Sequence, residues 1–268
     1  MKLATLFCSI LVIAHMSMAH AASFDCDKAS TPIEKTLCQD DSLSEYDEIM
    51  AYAYQQLRTL DKSNAAEHKS QQQQWIEKRN YECMDGDADC LLKLYPDRIR
   101  DLENAVVGLN SRGKSCDGIY QYQHSASLDG DDTPGQVTDA LITSPLDQEH
   151  RTFSLGIQGS NGHSCTFRGI ARRTAEGFNW STYLPDVGNG KSPECELDFK
   201  TSADKQTVSL TTPRGNDPTD PEYGNACHAY FCGQRAGLPP DGSVFQAAKG
   251  QDCESIRNGI LDGQEIPD

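Results

Sequence analysis

Trp75, Arg79 and Cys83 lie four residues apart, and Cys90 follows after a short acidic stretch that contains a glycine. At that spacing the three side chains share one face of a helix. An indole and a guanidinium on one face could bind a ligand. They also suit a packed helical interface, with the Arg79 head paired to a carboxylate of a neighbouring helix. We favour this second interpretation, in which Cys83 bonds to Cys90 and pins the turn that follows.

Two short segments are rich in aspartate and could contact a positively charged partner. Their residues are Asp85, Asp87 and Asp89 in the first segment and Asp129, Asp131 and Asp132 in the second. Both resemble calcium-binding loops, in which a glutamate at the twelfth position binds the ion through both oxygens. In the first segment that position is Pro96, so we interpret both segments as acidic turns.

The first residues have the pattern of a secretory signal peptide. Lys2 supplies a positive charge, residues 3–13 are apolar, and Ala19-His20-Ala21 has the small-x-small form that signal peptidase cuts. We predict a leader over residues 1–21, with cleavage after Ala21 or Ala22, and a periplasmic or secreted bacterial protein. A membrane anchor is the weaker alternative because the apolar run is too short, so no membrane span is expected in the mature chain.

The cysteines support export. Loss of Cys8 with the leader would leave ten of the eleven, an even number that predicts a disulfide framework. They are Cys26, Cys38, Cys83, Cys90, Cys116, Cys165, Cys195, Cys227, Cys232 and Cys253. In the second half we expect Cys165–Cys195, Cys227–Cys232 and Cys116–Cys253, although many other pairings of these six are open.

No set of residues stands out as catalytic or as a metal site. His163 and His228 lie close to cysteines that could bind zinc, but an oxidising compartment favours disulfides over thiolate ligands. The glycine-rich segment at 156–162 lacks the Gly-x-Ser-x-Gly pattern of a nucleophile elbow. We predict a protein that is not an enzyme and uses no metal or cofactor. A hydrolase with an unrecognised site is the alternative.

The charge of the chain restricts its partners. The formal net charge is −16, and it becomes −17 when the leader removes Lys2 and no acidic residue. Such a chain lacks the basic surface that a nucleic-acid backbone needs, so no nucleic-acid partner is expected. An acidic protein favours cationic proteins, with fast and salt-sensitive association. The alternative interpretation is that the acidity only confers solubility.

The hydrophobic periodicity divides the chain near residue 110. Apolar residues repeat at steps of three and four along 43–60 and 91–109, which predicts helices, and Pro96 should either start or kink the last of them. Beyond residue 110 short alternating segments predict strands. The expected fold class is α+β: a disulfide-pinned helical bundle over 24–108, a small antiparallel β sandwich or barrel over 115–248, and a polar tail over 249–268.

Three segments carry a family resemblance. They are FDCDKASTPIEKTLC at 24–38, QQWIEKRNYEC at 73–83 and CLLKLYPDRIRDLE at 90–103. Together they resemble the LprI-like lysozyme-inhibitor family, whose pattern is matched by Cys26, Cys38, Trp75, Arg79, Cys83, Cys90, Tyr95, Arg98 and Ile99. The resemblance implies a secreted or periplasmic helical module with structural roles for Trp75, Arg79, Tyr95 and Arg98. The best-described member type inhibits host lysozyme.

The resemblance and the charge together predict an exported binding protein. It would inhibit lysozyme or another cationic peptidoglycan hydrolase by covering the cleft of the enzyme, without turning over a substrate. The alternative is an immunity protein or an envelope-interaction protein that binds a toxin or a surface partner.

Overall fold

The structure is a computed structural model that describes residues 22–111, 118–127, 134–184, 194–215, 226–233, 235–248 and 253–262. Within these residues a group of helices comes first, and a closed barrel of eight antiparallel strands follows. The predicted α+β fold class is confirmed, and of the two predicted strand arrangements the barrel is the one observed.

The helical region contains α1 (Pro32–Gln39), α2 (Asp41–Leu60), α3 (Ala65–Glu82) and α4 (Ala88–Asn110). Side chains that accept hydrogen bonds from free backbone N–H groups start three of these helices: Thr31 at α1, Asp40 at α2 and Asp87 at α4. At α1 the Glu34 carboxylate also accepts from the backbone N–H groups of Thr31 and Ser30, which lowers its pKa to about 2.

The helical core lies mainly between α2 and α4. The apolar stripes predicted from the sequence are buried there, with Leu43 and Ala53 on α2 facing Leu91 and Val106 on α4. Pro96 lies inside α4 and is buried, so it does not start that helix. In contrast, α3 has only one fully buried residue, Gln72, and depends on polar contacts for its position.

Two disulfides lie in the helical region, and two more fasten the barrel. Cys26 bonds to Cys38 ahead of α2, and Cys83 bonds to Cys90 across the α3–α4 turn. In the barrel the bonds are Cys165–Cys232 and Cys195–Cys227. The expected Cys165–Cys195 and Cys227–Cys232 pairings are therefore wrong. The expected Cys116–Cys253 pair lies outside the residues whose side chains the structure describes.

The geometry of one short helix explains the pairing in the barrel. Cys227 lies on α5 (Ala226–Phe231) and Cys232 follows directly after it. Side chains five residues apart on a helix point about 140° apart, so these two cannot reach each other. Each bonds a different strand, and the strands that carry Cys165 and Cys195 are separated by a third strand.

The barrel is a meander in which the last strand returns to the first. Its strands are β1 (Gly118–Ser127), β2 (Pro134–Pro145), β3 (His150–Gln158), β4 (Ser164–Arg173), β5 (Gly177–Tyr183), β6 (Glu194–Thr201), β7 (Thr207–Arg214) and β8 (Ser243–Ala247). β8 pairs with both β7 and β1 and closes the sheet. Large side chains such as Leu155, Phe167 and Phe199 fill the interior. The lumen is thus a packed core.

The stretch interpreted from sequence as a polar tail contains a helix, α6 (Cys253–Asp262). Its Ile256 and Ile260 pack against Ala140 and Ile142 on the outer face of β2. Gly156 of β3 permits this approach, since a Cβ there would lie 2.9 Å from an Ile260 side-chain atom. Two isoleucines four residues apart are a short apolar stripe.

The helical region and the barrel meet through buried hydrogen bonds. The Glu103 carboxylate of α4 accepts from the Ile170 backbone N–H at 3.0 Å and from the Trp180 indole N–H at 3.3 Å. The Asn110 side-chain amide donates to the Pro145 carbonyl at 3.2 Å and to the Thr152 hydroxyl at 2.9 Å. Because α4 supplies Glu103 and Asn110 from its last two turns, its C-terminal end fixes the barrel against the helices.

The buried Glu103 should make this joint sensitive to pH. Burial raises its pKa from 4.5 to about 7, against the opposing effect of the two hydrogen bonds that it accepts. A carboxyl whose folded pKa lies above its unfolded value stabilises the fold at low pH, and this contribution is lost as pH rises from about 4.5 to about 7. The loss corresponds to about 3 kcal/mol of unfolding free energy.

We predict that Glu103→Gln removes this part of the pH dependence. Urea unfolding from pH 5 to pH 8 should show the wild-type stability falling relative to that of the variant by about 2.5 kcal/mol, because part of the loss occurs below pH 5. The exposed Glu176→Gln serves as a control and should keep the wild-type slope. Parallel pH profiles for the wild type and Glu103→Gln would contradict the assignment.

Candidate functional site

The Trp75–Arg79 stripe faces the other helices of the chain. Arg79 Nη1 donates to the Tyr95 hydroxyl at 2.8 Å, and that hydroxyl donates to Asp47 Oδ1 at 2.8 Å. The Trp75 ring meets the Tyr95 ring edge-on at 5.1 Å, and the Arg79 guanidinium lies 5.6 Å from the Trp75 ring centre. The expected direct pairing of Arg79 with a carboxylate is wrong in one respect, because a phenol lies between the two charges.

The Tyr95 phenol is suited to its position between Arg79 and Asp47. Burial, followed by the nearby Asp47 charge, raises its pKa, and Arg79 opposes the rise only in part. The phenol therefore keeps its proton and can accept from Arg79 while it donates to Asp47. These contacts occupy Trp75, Arg79 and Tyr95 in packing α3 against α2 and α4.

Arg98 makes a second polar link between α3 and α4. Its Nε and Nη2 donate to Gln72 Oε1 at 3.1 and 2.8 Å. Partial burial lowers the pKa of Arg98, although not enough to discharge a guanidinium. Arg98 thus makes its described hydrogen bonds inside the helical region.

The α3–α4 turn is different, because its side chains point into solvent. Tyr81 is 77% exposed and Met84 is 59% exposed, and they are two of the three exposed large hydrophobic residues in the described part of the chain. Asp85, Asp87 and Asp89 are also exposed. We call Tyr81, Met84 and these three aspartates the acidic turn surface.

The acidic turn surface is held by contacts on both sides. The Cys83–Cys90 disulfide closes it, and the Gly86 carbonyl accepts a hydrogen bond from the Thr36 hydroxyl of α1 at 2.7 Å. Gly86 has φ +71°, and a Cβ there would lie 2.8 Å from the Pro32 backbone, so only glycine fits. Asp87 also caps α4 by accepting from the Cys90 N–H at 3.0 Å. The turn is therefore presented in a fixed shape.

The charges of this surface are open to a partner. The side chains of Asp85 and Asp89 form no hydrogen bond or ion pair with other described residues. The second predicted acidic segment, with Asp129, Asp131 and Asp132, lies outside the described residues. Sequence reasoning named these aspartates as candidate contacts but did not name Tyr81 and Met84. Helical spacing could have indicated Tyr81, since two residues from Arg79 is a rotation of about 200°, on the opposite face.

A groove between the helical region and the barrel was not expected from sequence. It has a volume of about 370 Å³ and is lined by Glu45 and Glu48 of α2, Glu103 of α4, and Arg172 and Trp180 of the barrel. Its carboxylates could attract a cationic side chain. These residues come from segments far apart in the chain, and none of them stands out in the sequence, so no sequence signal could have found the groove.

The described residues contain no candidate metal cluster and no candidate membrane span. Cys165, Cys227 and Cys232 are in disulfides, so their sulfurs are not thiolate ligands for zinc. Among the described residues no group of three or more His, Cys, Asp or Glu side chains is placed to hold a metal ion. No helix in the described part of the chain is both long enough and apolar enough to cross a membrane.

Comparison with known proteins identifies one part of the chain. Residues 26–102 match a family model described as "Lysozyme inhibitor LprI". No curated protein and no solved structure matches the chain. The matched stretch contains both helical disulfides, the contacts of Asp47, Arg79 and Tyr95, and the acidic turn surface. Residues 26–102 of the N-terminal helical region are therefore similar to the LprI lysozyme-inhibitor family.

Proposed function

We propose that this is an exported protein that binds and inhibits a lysozyme-type peptidoglycan hydrolase. The family match supports the choice of target class. The observation that carries the proposal is the acidic turn surface, where exposed Tyr81 and Met84 lie beside three exposed carboxylates on a turn closed by a disulfide. On this proposal the chain works in the periplasm or outside the cell.

The acidic turn surface has the composition of a protein-binding site. Tyrosine and methionine are enriched at interfaces, and a few well-buried residues of this kind usually dominate binding energy. A convex turn that is already rigid loses little conformational entropy when it enters a cleft. Tyr81 and Met84 would fill part of the sugar-binding cleft of the hydrolase, which would exclude the polysaccharide without any chemical step.

The aspartates would guide the approach of a cationic enzyme. The chain carries a formal net charge of −16, so its long-range field attracts cations, and Asp85 and Asp89 concentrate negative charge at the turn. Charges at the rim of an interface mainly raise the association rate. The aromatic and apolar contacts would then set how long the complex lasts.

The barrel leaves this surface accessible. The turn precedes the start of α4 at Ala88, whereas Glu103 contacts the barrel from the other end of that helix. Fifteen residues of helix separate these points by about 22 Å. A hydrolase could therefore bind the turn while the barrel remains in place.

A second candidate is an immunity or envelope-interaction role, with a cationic toxin or surface protein as partner. The observation that favours it is the groove beside Glu45 and Glu48, whose barrel wall lies outside the matched residues 26–102. Capture of such a partner without any effect on lysozyme would select this alternative.

We predict that Tyr81→Ala combined with Met84→Ala weakens inhibition by about 30-fold or more, since the loss of a single hot-spot residue already costs about 2 kcal/mol or more. The measurement is the clearing of a bacterial cell-wall suspension by lysozyme over a series of inhibitor concentrations. Val244→Ala is the matched control: Val244 is also exposed, at 41%, but it lies on the barrel. Its inhibition should equal that of the wild type.

Two outcomes of this assay would contradict the proposal. If the mature wild type does not slow lysis at micromolar excess, the inhibitor function is wrong. If Val244→Ala weakens inhibition as much as the paired turn variant does, the acidic turn surface is the wrong surface.

We also predict that Asp85→Asn combined with Asp89→Asn slows association severalfold at low salt and changes dissociation little. Stopped-flow mixing from about 0.01 M to about 1 M salt, over which the screening length falls from about 30 Å to about 3 Å, should bring the two rates together. Glu176→Gln with Asp204→Asn removes the same charge from barrel turns and serves as the control. A rate ratio that is independent of salt would rule out steering by these aspartates.

A further inference from the structure

The beginning of the described chain is tied to a buried charge. The Ser23 backbone N–H donates to Asp47 Oδ2 at 3.1 Å, and the Ser23 hydroxyl donates to the same oxygen at 2.5 Å. The preceding residue, Ala22, is buried in the helical core, while Ser23 itself is exposed. These contacts fix the first residues ahead of the Cys26–Cys38 disulfide.

Among the described residues, Asp47 has no directly contacting cation. It is only 3% exposed, and its second oxygen accepts from the Tyr95 hydroxyl, which separates it from Arg79. No Lys, Arg or His among the described residues forms an ion pair with it. A buried carboxylate without a cation at hydrogen-bonding distance is costly, even where neutral donors satisfy both oxygens. One more positive charge beside Oδ2 would therefore be stabilising.

Removal of a leader would create a charge at this place. The sequence predicts cleavage after Ala21 or Ala22, where water adds across the peptide bond. The leader keeps the new carboxylate, and the mature chain begins with an amine that is protonated near neutral pH. After cleavage at Ala22, the Ser23 nitrogen becomes an ammonium group 3.1 Å from Asp47 Oδ2. After cleavage at Ala21, the ammonium is one residue, about 3.8 Å of chain, further away.

We propose that the α-ammonium group of Ser23, produced by leader removal after Ala22, forms an ion pair with Asp47 in the helical module. In the precursor the same nitrogen belongs to a neutral amide, which donates a hydrogen bond but carries no charge. The mature module is then more stable than the same module within the precursor. This difference suits a protein that crosses a membrane before it folds. The inference stands apart from the proposed inhibitor function.

The first test is the N-terminus of the exported protein. Intact-mass analysis of the protein collected from the periplasm or the medium of a bacterial host should show a chain that begins at Ser23, whose nitrogen lies at Asp47. A chain that begins at Ala22, at an earlier residue or after Ser23 would overturn the proposal, because its amino group would not be at Asp47.

The second test asks whether the charge matters. The mature chain is prepared with a free amino terminus and with an Nα-acetyl group, each with Asp47 and with Asp47→Asn. Acetylation should lower the thermal midpoint by about 2–4 °C when Asp47 is present, as expected for the loss of one modest interaction in a chain of this size. It should have no effect in Asp47→Asn, because the double-mutant cycle isolates the ammonium–carboxylate term.

An exposed carboxylate provides the control for this test, and an NMR titration of the wild-type protein provides an independent measurement. Asp27→Asn removes an exposed carboxylate four residues from Ser23 and should keep the wild-type response to acetylation. Equal effects of acetylation with Asp47 and with Asp47→Asn would overturn the proposal. If Asp47→Asn does not fold, NMR titration of the wild-type α-amino group decides. The pKa of this amino group should lie above the ordinary range of about 7.7–8.0. A pKa within or below that range would overturn the proposal.

Discussion

The helical module depends on the buried carboxylate of Asp47. Neighbouring segments meet at this one group: Ser23 from the start of the described chain, and Tyr95 from α4, which in turn holds Arg79 of α3. α3 needs these contacts because it has a single fully buried residue and little apolar surface to bind it to the core. Position and orientation of α3 therefore come from directional hydrogen bonds, which are satisfied only in one arrangement.

The hydrogen bonds that position α3 also position the acidic turn surface. It follows directly from the end of α3, and Arg79 lies one turn of helix before Cys83, where the disulfide begins. Any movement of α3 would carry Tyr81 and Met84 with it. The hydrogen bonds among Asp47, Tyr95 and Arg79 therefore matter for binding as well as for folding. A preformed surface binds with a smaller entropic cost than a flexible one.

Much of the architecture could be predicted from sequence because it follows from local periodicity. Steps of three and four gave α2 and α4, alternation gave the strands, and the spacing of Cys83 and Cys90 gave a local disulfide. The barrel disulfides could not be predicted, since they depend on which strand each face of α5 meets. Likewise, Glu103 appears in the sequence as one more helical acid, and only the packed fold shows that it is buried against Trp180.

The family match ends where α4 begins to contact the barrel. The match ends at residue 102, and the next residue is Glu103, whose carboxylate joins α4 to the barrel. Asp47, Arg79 and Tyr95 lie inside the matched residues, whereas Ser23 precedes them and Glu103 and Asn110 lie beyond them. One continuous helix therefore belongs to the module at its first part and to the barrel joint at its last part. Since α4 is rigid over this length, the barrel is set at a fixed distance from the turn. The groove beside Glu45 then arises from the joint, not from the module alone.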